Sequence, residues 1–197
     1  MAMQHGFSIE LPEWVLPWLS ERHDDLASEP GRMGLVIALA RENVRTGSGG
    51  PFAAAVFNSA DDSLISVGVN LVTNSGLSMA HAEMLALSLA QKAMGDWDLA
   101  NRGELSLVTS CEPCAMCFGA VPWSGVRSLV CGARKEDAEA GGFDEGDKPG
   151  DWADSLRARG IAVRQNVMRA EAAEVFDFYR EQGGVIYNSG GEGGDQG

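Results

Sequence analysis

Ala80-His81-Ala82-Glu83, followed about thirty residues later by Glu112-Pro113-Cys114-Ala115-Met116-Cys117, brings an imidazole, two thiols and a carboxylate together. A catalytic zinc takes three protein ligands and leaves its fourth tetrahedral position to water. His81, Cys114 and Cys117 supply three, and one zinc per chain is expected. The mixture of imidazole and thiolate favours zinc over harder metals. Glu83 stands two residues beyond the histidine, where a carboxylate can move protons for water at the metal. Cys114 and Cys117 are one helical turn apart, so both sulfurs project from one face. Pro113 suits a helix start, where its missing N–H costs nothing, and the positive helix end favours thiolate over thiol. Two thiolates cancel the formal charge of Zn²⁺, and a neutral histidine leaves the metal acidic enough to activate water.

A different use of the same residues is a closed structural zinc site, in which Cys111 would be the fourth ligand. Its place before the proline, at the end of an expected strand, requires a bend for that role. Glu83 would then have no function. Cys131 lies in an apolar run and reads as a small core residue.

Around these runs the chain alternates between helical and extended patterns. Leu35, Val36, Leu39 and Ala40 recur at helical spacing within Arg32–Arg45, ended by Gly47. Phe52–Phe57 and Leu64–Asn70 read as strands joined by the turn 58–62. A helix over Ala80–Met94 is apolar nearly all round, which marks a buried element. Leu105–Thr109 reads as the central strand, a third helix begins at Cys114, and Val126–Ala133 forms the next strand. Arg134–Gly150 is polar, glycine-rich and too long for an ordinary connector, so it is a candidate functional loop. A short helix (Trp152–Arg159), a strand (Ile161–Val167) and an amphipathic helix (Ala170–Glu181) follow. This order predicts an α/β protein, a three-layer α/β/α sandwich around a mixed sheet of about five strands. Residues 1–30, with Trp14 and Trp18, read as an extension packed on a domain spanning 31–188, and the glycine-rich 189–197 reads as a disordered tail.

The chain has 197 residues, is 45% hydrophobic and carries a formal charge of −13. Such a surface repels a phosphate backbone, whose binding draws on Lys and Arg. The expected substrate is therefore small and free, with no nucleic-acid partner. Three of the four cysteines fall within seven residues, suiting a metal site in a reducing compartment. No secretory segment is evident and the longest apolar run is too short for a bilayer, so a cytoplasmic protein with no membrane partner is expected.

The H-x-E and P-C-x-x-C runs match the signature of zinc-dependent base deaminases. On these motifs, together with Gly50-Pro51-Phe52 and Gly68-Val69-Asn70, the chain resembles the cytidine-deaminase-like superfamily, and within it the bacterial guanine deaminase branch. The resemblance covers roughly Gly31–Asn188. The zinc motifs do not choose a substrate, because tRNA adenosine deaminases share nearly the same cysteine run. The more discriminating segment is Ala138–Glu145, since Gly142-Phe143-Asp144 followed by an acid is similar to that branch.

The resemblance implies that Glu145 is a second catalytic carboxylate, able to accept from the N1–H and N2–H₂ edge of guanine. It further implies that Asn70 reads the purine, that the Ala82 N–H faces the substrate carbonyl, and that Phe52 and Trp123 line the base pocket. Val185-Ile186-Tyr187-Asn188 matches a C-terminal segment that covers the pocket or is exchanged between chains. A homodimer is the implied assembly. The expected reaction is hydrolytic deamination of guanine to xanthine and ammonia, with side activity on an aminotriazine such as ammeline. The alternative substrates are guanosine, cytidine and tRNA adenosine, the last of which the acidic charge opposes.

Overall fold

Apolar residues on both sides of successive strands force this sheet to be covered on two faces. The structure, a computed structural model, describes residues 4–188. In chain order the elements are α1 (Val15–Ser20), α2 (Glu29–Arg45), β1 (Ala53–Asn58), β2 (Leu64–Val69), α3 (Val72–Ser75), α4 (Ala82–Met94), β3 (Leu105–Cys111), α5 (Ala115–Ser124), β4 (Ser128–Ala133), α6 (Lys135–Ala140), α7 (Trp152–Arg157), β5 (Ala162–Arg164) and α8 (Arg169–Glu181). The five strands run in the order β2-β1-β3-β4-β5. β1 is antiparallel to both β2 and β3, whereas β3–β4 and β4–β5 are parallel. The mixed five-stranded α/β sandwich expected from the pattern is present, and β3 is its central strand with all seven residues buried.

Strand alternation divides the core in two. Ala53, Ala55 and Phe57 of β1 face Leu35, Leu39, Val175 and Phe176 of α2 and α8. Ala54 and Val56, from the same strand, face Ala86, Leu87, Val121 and Leu156 of α4, α5 and α7. The first group also receives the N-terminal segment: Val15 is buried, and Ile9, Leu11, Trp14, Trp18 and Leu19 pack against that core. Trp14 Nε1 donates to Ser48 Oγ at 2.9 Å, fixing the segment to the end of α2.

Boundaries depart from the sequence pattern where side chains cap or interrupt elements. α2 starts three residues earlier than its apolar periodicity indicates, because Ser28 caps it by accepting the Gly31 N–H at 3.1 Å and Pro30 lies in its first turn. The expected loop Arg134–Gly150 begins instead with helix α6, where the Asp137 carboxylate accepts the Arg134 N–H at 2.8 Å and Ala138 is fully buried. The strand expected over Ile161–Val167 contracts to Ala162–Arg164, an edge strand cut short by the left-handed Asn166 and Met168. α3 and the 3-10 turn Leu99–Arg102 have no counterpart in the periodicity. The tail 189–197 lies outside the described residues. Among the described residues, no helix is long and apolar enough to cross a membrane.

Candidate active site

Two helix N-termini meet at the edge of the sheet where β2 and β3 end. His81 is the N-cap of α4 and Cys114 the N-cap of α5. α4 packs directly on β2 at Gly68, where a side chain would run into the Ala82 carbonyl. That glycine lets the helix carrying His81 and Glu83 lie close to the strand leading into Asn70.

His81 Nδ1 lies 3.5 Å from Cys114 Sγ and 3.5 Å from Cys117 Sγ. The three donor atoms all fall within 4.8 Å of one another. Zinc–sulfur and zinc–nitrogen bonds of usual length, set at a tetrahedral angle, require an N···S separation of about 3.5 Å. The donor set therefore fits zinc in both chemistry and spacing. Cys111 does not join it: its thiol donates to the Arg134 carbonyl at 3.5 Å. The closed structural site is thereby excluded as the arrangement of these side chains, and His81 and Cys114 line the adjoining cavity.

The two sulfurs are electrostatically unequal. A hydrogen bond from the Cys117 thiol holds the Cys114 thiol down at about 4, against burial and with help from His81. The same hydrogen bond, with burial, pushes Cys117 well up. Cys114 Sγ also accepts the Cys117 N–H at 3.5 Å, so a thiolate caps the helix. Zinc binding must expel the remaining thiol proton.

Glu83 is 6% exposed in the first turn of α4, and its carboxyl is raised by burial and then by the Cys114 thiolate. Glu145, 5% exposed, is raised to about 8 by burial, then by Cys114 and Glu83. A bound dication would favour the ionised form of both. These two acids share an inner cavity with Asn70, His81, Cys114 and Phe52. The cavity opens outward past Val72, Ser78 and Met116.

Asn70 is buried, and its Oδ1 accepts the Val72 N–H at 3.2 Å. Because only the amide oxygen can accept, this bond leaves Nδ2 as the donor for a ligand. Phe52 packs edge-on against Phe143 at 5.0 Å between ring centres. Ala82 is the first residue of α4, so its N–H belongs to the amides a helix leaves without an internal partner.

Trp123 is not brought to this cavity. It is 81% exposed beside Phe118, Gly119 and Arg159. The reason is helical geometry: nine residues past Cys114 is half a turn from the ligand face.

Two features received no individual role in the sequence reading, although Tyr187 was included in the expected covering segment. The Tyr187 hydroxyl is buried in the cavity without a hydrogen-bond partner among the described residues and packs on Gly50, where a side chain would displace it. Its place in the C-terminal segment was the available signal. Asn188 beside it accepts the Asp144 N–H and donates to the Gly142 carbonyl, each at 2.9 Å, so the segment lies over the Glu145 loop of its own chain. The second is the buried pair Glu112 and Lys148 behind the cysteine loop. A charged residue inside the otherwise uncharged run 105–114 was its signal.

Fold and ligand set together define a zinc deaminase of the cytidine-deaminase-like class. The chain belongs to the family of the cytidine and deoxycytidylate deaminase zinc-binding region, matched over residues 31–133. It is similar to the guanine deaminase from Nitrosomonas europaea, with 46% identity and a TM-score of 0.84 over 92% of this chain and all of that one. A structure of the NE0047 protein with 2,6-diaminopurine is 49% identical, with TM-score 0.84, over 92% of this chain and 96% of that one. The guanine deaminase of Bacillus subtilis is 40% identical over 109 residues, 55% of this chain and 67% of that protein. The tRNA-specific adenosine deaminase of the same species is 45% identical over 64 residues, 32% of this chain and 38% of that protein.

Proposed function

We propose that the protein deaminates guanine hydrolytically, giving xanthine and ammonia. The observation that carries this reading is the convergence of Glu83, Glu145 and the Asn70 amide on one cavity beside the His81–Cys114–Cys117 cluster. The likeness to guanine deaminase across nearly the whole chain supports the substrate.

His81, Cys114 and Cys117 would hold a zinc ion, which would supply a water acidic enough to react at neutral pH. Glu83 takes a proton as that water adds to C2 and returns it to the adjacent ring nitrogen. A second proton from the added oxygen passes by Glu83 to the amino nitrogen. The C2–N bond breaks, ammonia leaves, and C2 keeps the oxygen as a carbonyl. The Glu145 carboxylate accepts from N1–H and the amino group, while Asn70 Nδ2 donates to a ring acceptor. Phe52 covers one face of the base, and the Ala82 N–H faces the purine carbonyl. Val185–Asn188 acts as a lid, with Tyr187 at its inner end.

Residues 31–188 form the catalytic domain in this reading, with 1–30 as a docked extension. The small inner cavity and the net charge of −13 favour a free heterocycle over a nucleic acid. Four free cysteines fit a cytoplasmic enzyme. Exposed Met116 and Trp123 on α5 support a homodimer seated there. Ammeline is the expected secondary substrate, since it presents the same amino and ring-nitrogen edge. The test is ammonia release from guanine alongside guanosine, adenine, cytidine and ammeline. Guanine should exceed each nucleoside by orders of magnitude; faster release from cytidine or guanosine would overturn the assignment.

A further inference from the structure

The segment that carries Glu145 is not held by regular secondary structure; residues 141–151 contain no helix or strand. Lys135 Nζ of α6 donates to the Gly146 carbonyl at 3.0 Å and Asn188 bonds Gly142 and Asp144, while a further set of contacts ties the segment to the cysteine loop. Lys148, three residues past Glu145, turns inward and its side chain is 3% exposed. Its Nζ donates to the Pro113 carbonyl at 2.8 Å and stands 3.6 Å from Glu112 Oε2. The same ammonium lies 4.5 Å from the centre of the Trp152 ring, where the aromatic face attracts a cation. Glu112 is held in turn, accepting from Gln165 Nε2 at 2.7 Å and from the Lys135 N–H at 3.4 Å. Pro113 immediately precedes the first cysteine ligand, so this one ammonium joins the Glu145 loop to the start of α5.

We propose that Lys148 is a positioning residue for the deamination: it fixes the distance between the Glu145 carboxylate and the metal-binding cysteines by tying both loops to one buried cation. The inference rests on the guanine-deaminase reading for the role of Glu145, but the mechanical tie is independent of substrate. A lysine is well suited here, because it meets a carbonyl, a carboxylate and a ring face from different directions with three rotatable donors. Removing it strands a buried carboxylate at Glu112, which by itself destabilises. Positioning therefore has to be separated from folding.

The experiment compares Lys148→Met, Lys148→Arg and the double variant Lys148→Met/Glu112→Gln, which leaves no stranded charge. Zinc per chain, thermal unfolding, kcat and KM for guanine, and amide exchange are measured on each. The Ala115 amide is the reporter of docking, because it donates to the Glu145 carbonyl at 2.9 Å. In the double variant zinc content should stay stoichiometric and unfolding cooperative. There kcat should fall on the order of 10²-fold and KM for guanine should rise with it, as expected for an ångström-scale misplacement of the carboxylate that binds the base. The Ala115 amide should exchange at least about tenfold faster, and Lys148→Arg should recover part of both losses. Unchanged kcat and unchanged Ala115 exchange in the double variant overturn the proposal. So does loss of zinc or of cooperative unfolding in both methionine variants, which makes Lys148 a folding residue. A wild-type protein inert toward guanine ends the substrate reading instead, and Ala115 exchange then decides the role of Lys148.

Discussion

The main-chain N–H of Ala115, the residue after the first cysteine ligand, donates to the main-chain carbonyl of Glu145 at 2.9 Å. A metal-binding helix and an acid thirty residues away are thus joined backbone to backbone. The geometry of the reaction is set by how well that seam holds.

Glu83 and Glu145 should differ in what they remove. Glu83→Gln keeps the shape and deletes the proton carrier, so kcat should drop by about 10² to 10⁴-fold with zinc retained. Glu145→Gln should raise KM for guanine as well as lower kcat, because an amide cannot accept from both N1–H and the amino group. Ammonia release with zinc analysis on each variant checks this; wild-type kinetics in Glu145→Gln would remove that residue from the site.

Chelation of zinc should abolish turnover and expose an unusual thiol. With Cys114 held at about 4, its thiolate fraction is already complete near pH 6. Alkylation of the metal-free protein should therefore label Cys114 at a rate almost flat between about pH 6 and 8. Cys111 and Cys131, whose thiols burial pushes well up, should stay unlabelled until the chain unfolds. Peptide mapping after a short iodoacetamide pulse reads the order, and preferential labelling of Cys131 would contradict it.

Asp137 holds α6, and with it the approach to the Glu145 loop. It accepts the Arg134 N–H and forms a two-pronged pair with Arg169 at 2.7 Å on each oxygen. The Arg169 hydrogen bond, partly offset by burial, lowers the Asp137 carboxyl below its ordinary value. A lowered folded-state pKa gives stability that is present above the unfolded value and lost as pH falls through the folded one. Asp137→Ala should cost about 1 kcal/mol at pH 7, chiefly the lost N–H acceptor, since Arg169 is too exposed to add much. The difference from wild type should shrink in urea unfolding at acid pH, below the ordinary aspartate range.

Tyr187→Phe deletes a buried hydroxyl that has no partner among the described residues. Stability should hold or rise slightly, because no hydrogen bond among the described residues is lost. If the hydroxyl meets the bound base, KM for guanine should rise about tenfold. Gly50→Ala should reproduce the KM effect by pushing the ring outward. Equal KM in wild type and both variants would show that the lid contributes no contact to the base.

The metal site was legible because its residues are local in sequence. The three-residue spacing of Cys114 and Cys117 and the two-residue spacing of His81 and Glu83 fix shared faces on helices whose starts are themselves written in the chain. Strand and helix order was equally legible from apolar periodicity. Helix α6 was obscured by its polar composition, since one buried alanine and one capping aspartate leave almost no periodic signal. Trp123 was misplaced because similarity in position carries no information about which way a helix side chain turns.

What the chain determined by itself was the ligand chemistry, the alternation of elements and the candidate acids, all consequences of spacing along a backbone of known repeat. What the tertiary structure decided was which groups meet. It turned Cys111 away toward Arg134, brought Asn70, Glu145 and Tyr187 to one cavity from three different parts of the chain, and buried Lys148 against Pro113. Those contacts join residues tens of positions apart. Their existence depends on how the two faces of the sheet fill with side chains, which local spacing does not specify.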